Sequence, residues 1–82
     1  MKAVLSNQAD NTLSEIYEYY RREVSEETAL KVINRILDAI QELERLPNIG
    51  SIELRLQKLQ LEYKYIVVDN YKIIYRIDQE II

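Results

Sequence analysis

Three cations, Lys64, Lys72 and Arg76, are the side chains whose type and spacing best suit work on an anionic group. They lie at alternating positions of two adjacent β-patterned segments, so one pairing register gathers them on a single sheet face. Gathered there, they would stabilise negative charge developing in a transition state, and they are the catalytic candidates. A general base is harder to nominate. The chain has no His and no Cys, which removes imidazole bases, thiol nucleophiles, Ser-His-Asp triads and thiolate or imidazole zinc sites. A Lys would act as a base at neutral pH only with its pKa lowered far by burial or like charges. Asp38, Glu42 and Glu44 line the polar side of a helical segment without a convergent ligand set, so neither a metal nor another cofactor is expected.

The elements that must position these residues follow from hydrophobic periodicity. The chain has 82 residues, 48% hydrophobic and 30% charged, with one Gly and one Pro, which reads as a single small domain over 1–82. No apolar run reaches the roughly 18 residues of a membrane span, and the first six residues are too short for a secretory signal, so a cytoplasmic location and no membrane partner are expected. A net charge of −3 argues against a whole-surface nucleic-acid binder. Residues 1–53 carry −4 and residues 54–82 carry +1.

Residues 2–5 form a short β-leaning run, and Ser6 is a helix N-cap. Ala9, Leu13, Ile16, Tyr17, Tyr20 and Val24 then recur at helical spacing. Ser25 caps a second helix with Glu26 and Glu27 in its first turn. That helix carries Ala29, Ile33, Ile36, Leu37, Ile40 and Leu43 on its core face, with an adjoining stripe of Leu30, Val32, Ala39 and Leu46. The width suggests two contact surfaces, and the stripe supplies candidate partner-binding residues. Pro47 and Gly50 end the helix and turn the chain, completing an αα-hairpin.

The remainder is β. Leu59, Leu61, Tyr63, Tyr65 and Val67 alternate with even positions that begin Lys58, Gln60, Glu62 and Lys64, and after Asp69-Asn70 the alternation resumes with Tyr71, Ile73, Tyr75 and Ile77 against Lys72, Ile74 and Arg76. A three-residue loop over residues 68–70, with Asn70 left-handed, pairs Val67 with Tyr71 and Tyr65 with Ile73. All odd residues then share one face, and Lys64, Lys72 and Arg76 share the other; that segregated register is the expected one. Asp78-Gln79-Glu80 is a further turn, and Ile81-Ile82 reads as the start of a strand that is cut short. The tyrosines at 17, 20, 63, 65, 71 and 75 are expected in the core, while Tyr19-Tyr20-Arg21-Arg22 is expected at the surface.

The order strand, helix, helix, antiparallel meander resembles the RelE/ParE superfamily of toxins from bacterial type II toxin–antitoxin operons. The resemblance is carried by Val4-Leu5-Ser6 and Leu13-Ser14-Glu15-Ile16-Tyr17-Glu18-Tyr19, by residues 40–46 leading into Leu46-Pro47-Asn48-Ile49-Gly50, and by Tyr63-Lys64-Tyr65-Ile66-Val67-Val68 followed by Asn70-Tyr71-Lys72-Ile73-Ile74-Tyr75-Arg76-Ile77. It looks closest to the ParE-like, plasmid stabilization branch. The resemblance implies an α+β fold with a short N-terminal strand, and a toxin held inactive by a cognate antitoxin. ParE-like members inhibit DNA gyrase without catalytic chemistry of their own; RelE-like members cleave mRNA on the ribosome. Lys64 and Lys72 fall on basic positions of the RelE-type site, but Ile66 stands where those ribonucleases carry another basic residue, and the last strand and tail have no counterpart.

Three readings therefore stand side by side. One is a ParE-like toxin that acts by binding a protein. Another is a ribosome-dependent mRNA endoribonuclease. A third is a truncated, inactive relative that survives as a self-associating module, a homo-oligomer completed through its open sheet edge. Leu30, Val32, Ala39, Leu46, Ile81 and Ile82 are the candidate partner-binding residues.

Overall fold

The computed structural model describes residues 2–53 and 63–77. Two helices are followed by a three-stranded antiparallel sheet, an α+β fold. The chain divides into two compact units, a helical hairpin within Met1–Arg45 and a sheet within Leu46–Ile82.

In the helical unit, α1 spans Asn7–Glu23 and α2 spans Glu26–Arg45. The Ser6 hydroxyl accepts from the Ala9 N–H at 3.0 Å, which satisfies one of the orphan donors of the first turn. The helix stops at Val24, where the N–H groups of Val24 and Ser25 both donate to the Tyr20 carbonyl at 2.9 Å. Ser25 starts α2 at once: its hydroxyl accepts from the Thr28 N–H at 3.1 Å and donates to the Thr28 hydroxyl at 3.0 Å. Glu26 and Glu27 in the first turn and Arg45 in the last complement the helix dipole.

The buried apolar side chains of the described residues are Ala29, Val32, Ile36 and Leu43, all on α2 and each at most 5% exposed. Their spacing of three, four and seven is one seam of a helix packing on a neighbour. The expected core face is thereby rotated. Val32, taken from the sequence as part of a partner-binding stripe, is closed off from solvent, whereas Leu37, expected in the core, is 43% exposed. A helix turns about 100° per residue, so a seam through Ile36 leaves Leu37 a quarter-turn away, in line with Leu30 and Ile33. Packing of α1 on α2 buries no α1 residue completely.

Residues 2–5 were expected to form a strand. They do not: Val4 is 88% exposed, and no strand of the described residues pairs with them. A β-leaning run becomes a strand only beside an edge. Here the backbone is tied instead to a helix, the Ala3 N–H donating to the Glu44 carboxylate at 2.9 Å.

In the sheet unit, β1 (Ser51–Ile52), β2 (Tyr63–Val68) and β3 (Tyr71–Arg76) lie in the order β1-β2-β3. The expected hairpin register is overturned. Val68 pairs with Tyr71 across a two-residue loop, and the left-handed residue is Asp69, φ 55°, rather than Asn70. The reason lies on the other side of β2. The Glu53 N–H donates to the Tyr63 carbonyl at 2.7 Å, and Ser51 stands opposite Tyr65. Tyr63 and Tyr65 thus turn their peptide groups toward β1, and by alternation Lys64, Ile66 and Val68 turn theirs toward β3. A loop closed at a hydrogen-bonded Val67–Tyr71 pair needs the opposite parity.

The segments at residues 54–62 and 78–82 lie outside the described residues. The expectations for Leu59 and Leu61, for a turn at 78–80 and for an interrupted strand at Ile81-Ile82 fall there.

Candidate functional site

The sheet register places the expected catalytic cations on two faces. One carries Lys64, Ile66, Val68, Tyr71, Ile73 and Tyr75; the other carries Tyr63, Tyr65, Val67, Lys72, Ile74 and Arg76. Lys64 is therefore separated from Lys72 and Arg76 by the thickness of the sheet. The two-faced ribbon expected from the sequence, apolar below and cationic above, gives way to two mixed faces. Tyr65 and Ile73, expected together, lie on opposite sides.

Lys72 is engaged within its own face. Its ammonium pairs with the carboxylate of Glu53 and sits 4.3 Å from the centroid of the Tyr65 ring, close enough for a cation–π contact. Glu53 is 4% exposed, the buried charged residue of the described chain. A buried carboxylate is tolerated when a cation and hydrogen bonds replace its water, and Lys72 is that cation. Nothing in the sequence pattern singles out Glu53. It follows a two-residue strand too short to show a period of two, and its burial depends on pairing with a strand ten positions later.

A second constellation fixes the turn that feeds β1. The Tyr75 hydroxyl donates to the Pro47 carbonyl at 2.7 Å and accepts from the Gly50 N–H at 3.0 Å. A Cβ on Gly50 would come within 2.8 Å of Tyr75 Cε1 and 2.9 Å of the Tyr65 carbonyl oxygen. Glycine is thus required there by close approach; its φ is not positive. Leu46, the stripe residue next to this turn, is 42% exposed, and Ile49 is 52% exposed.

The helical unit presents a surface of different chemistry. Leu13, Ser14, Tyr17, Glu18 and Ile33 line a shallow cleft of about 290 Å3. On α2 the same line of residues continues into Leu30 and Leu37, 48% and 43% exposed. Tyr17 donates to the Glu26 carboxylate at 3.3 Å, and partial desolvation together with that negative charge raises its hydroxyl above the ordinary tyrosine value. Arg21 donates to Glu18 at 2.7 Å, and this hydrogen bond holds the carboxyl below the usual glutamate range. The cleft is an apolar strip with charged residues at its rim, suited to an apolar side chain from another protein. Of the expected partner-binding residues, Leu30 lies beside this cleft, Ala39 is half-buried, and Ile81 and Ile82 lie outside the described residues. Tyr19, 53% exposed, packs edge-on against Tyr20 at 5.2 Å, a surface pair.

Among the described residues no three His, Cys, Asp or Glu converge as a metal site, and no helix is long and apolar enough to cross a membrane.

Two helices and a three-stranded antiparallel sheet, with an apolar cleft in the helical unit and cations dispersed over both sheet faces, define a small α+β protein. The family model for the ParE toxin of the type II toxin–antitoxin system, parDE, matches residues 3–82. The chain belongs to that family, the toxins of type II systems, whose membership implies an antitoxin partner. No match is found among curated proteins or among solved structures.

Proposed function

We propose that this chain is a toxin that disables a cellular protein, DNA gyrase, by binding it, within a plasmid stabilization system in which a cognate antitoxin neutralises it. The observation that carries the reading is the separation of Lys64 from Lys72 and Arg76 across the sheet, with Lys72 paired to Glu53. Cleavage of RNA requires groups converging on one phosphate, and stabilising charge acts only where the charge develops. The lack of His and Cys in the chain points the same way. A target of this kind places the toxin in the cytoplasm. The antitoxin is proposed to cover Leu30, Leu37 and the cleft at Leu13, Tyr17 and Ile33, where apolar area is available to bury.

The test is a pair of assays on the chain released from its antitoxin. Inhibition of gyrase supercoiling by purified protein, with cellular transcripts left intact after induction, is the expected result. Transcripts cut on ribosomes, with cutting abolished by Lys64→Ala or Lys72→Ala, would replace this reading with the endoribonuclease one. Co-expression with the neighbouring small open reading frame should yield a complex, weakened when Leu30 and Leu37 are changed together to Ser.

A further inference from the structure

We propose that Glu53 and Lys72 form a register lock, an ion pair that holds β2 and β3 in one of two pairings the hairpin sequence allows. Both faces of this hairpin are partly apolar. Ile66, Val68, Tyr71, Ile73 and Tyr75 occupy one, and Tyr63, Tyr65, Val67 and Ile74 the other. Hydrophobic burial therefore discriminates poorly between the observed register and the odd-loop one, the condition under which strands slip. The peptide direction that β1 imposes on β2 favours the observed register, and a specific polar contact between side chains adds to that preference.

The lock follows from side-chain parity. Glu53 bonds through its backbone to Tyr63, so it shares a face with Tyr63 and Tyr65. With Val68 opposite Tyr71, Lys72 falls on that face and reaches both the Glu53 carboxylate and the Tyr65 ring. Shifting β3 by one residue, to pair Val67 with Tyr71, sends Lys72 to the far side of the sheet. Glu53, 4% exposed, would then be left without that cation. The same shift carries Tyr75 to the opposite face from the one on which it holds Pro47 and Gly50. The ion pair, the tyrosine clamp and the peptide parity of β2 are thus three expressions of one register.

The slipped form has a chemical consequence: it brings Lys64, Lys72 and Arg76 to a common face. Glu53, itself without a place in that cationic set, controls whether the set assembles.

The test uses the full chain and NMR contacts between Hα protons, which are short across non-hydrogen-bonded pairs. The native chain should show Tyr65–Ile74 and Val67–Lys72 contacts. In Glu53→Ala a second set, Val67–Tyr71 and Tyr65–Ile73, should appear beside them, because β2 keeps its pairing to β1. Retention of the native set alone in that variant would overturn the lock. Should Glu53→Ala lose its sheet signals altogether, the exchanged pair Glu53→Lys with Lys72→Glu carries the test. Return of the Tyr65–Ile74 contact supports the lock, and failure of the exchange to restore it refutes it.

Discussion

Replacing Gly50 with Ala tests whether the β1 turn is held by contact or by backbone freedom. The added methyl would lie 2.8 Å from Tyr75 Cε1 and 2.9 Å from the Tyr65 carbonyl oxygen. The tyrosine ring can retreat, but the carbonyl belongs to the central strand and cannot move without disturbing the ladder. Overpacking of this kind costs about 1–3 kcal/mol. Retreat of the ring would also weaken the hydroxyl's bonds to Pro47 and Gly50, each worth about 0.5–1.5 kcal/mol. Against these stands the stiffer unfolded chain, which favours Ala by about 0.4–1 kcal/mol where φ is negative. The balance is a loss of about 2 kcal/mol, measured as a shift in the urea midpoint followed by circular dichroism. Because the hydroxyl is one of the obstructing groups, Gly50→Ala should cost about 1 kcal/mol less in a Tyr75→Phe background. A Gly50→Ala chain as stable as the parent would show that the close approach does not exist and that the glycine serves only the turn.

Other expectations follow from the helical unit. Leu43, 5% exposed on the α2 seam, should lose about 2–5 kcal/mol on change to Ala, whereas Leu30→Ala, starting 48% exposed, should lose far less by the same urea titration. Ser25→Ala removes the acceptor for the Thr28 N–H and should cost about 1 kcal/mol. The Glu18 carboxyl is lowered chiefly by its hydrogen bond from Arg21, so the pair's contribution is full above the ordinary glutamate value. It is lost as pH falls through the lowered Glu18 value. Carboxyl titration by NMR should show Glu18 moving upward in Arg21→Ala; an unchanged Glu18 would contradict the pairing. Self-association through a sheet edge is checked by light scattering at micromolar concentration, where a monomer mass would refute it.

Much of the fold was legible in the chain because helices are local. Ser6 and Ser25 as caps, the run of apolar residues three and four apart, and the stop before Pro47 need only neighbours within a few positions, and each appears where the spacing places it. The kinship was legible too, since it rests on the order of short motifs across nearly the whole chain. Which stripe of α2 is buried was not legible. Leu30, Val32, Ile33 and Leu37 are equally apolar, and only the packed neighbour distinguishes them.

The sheet shows the boundary most clearly. The amino acids alone determined that residues 63–76 form an antiparallel ribbon turning at Asp69-Asn70, because alternation and turn chemistry are properties of adjacent residues. Alternation alone favoured the register that gathers the cations on one face, and that expectation was wrong, since the observed register also puts apolar side chains on both ladders. The choice came from β1, two residues long, whose hydrogen bond at Tyr63 sets the direction of every peptide group in β2. A strand has two edges but one alternation, so what pairs on one side dictates what can pair on the other. That dependence links Glu53 to Lys72 across the sheet and scatters the cations the sequence had suggested would meet.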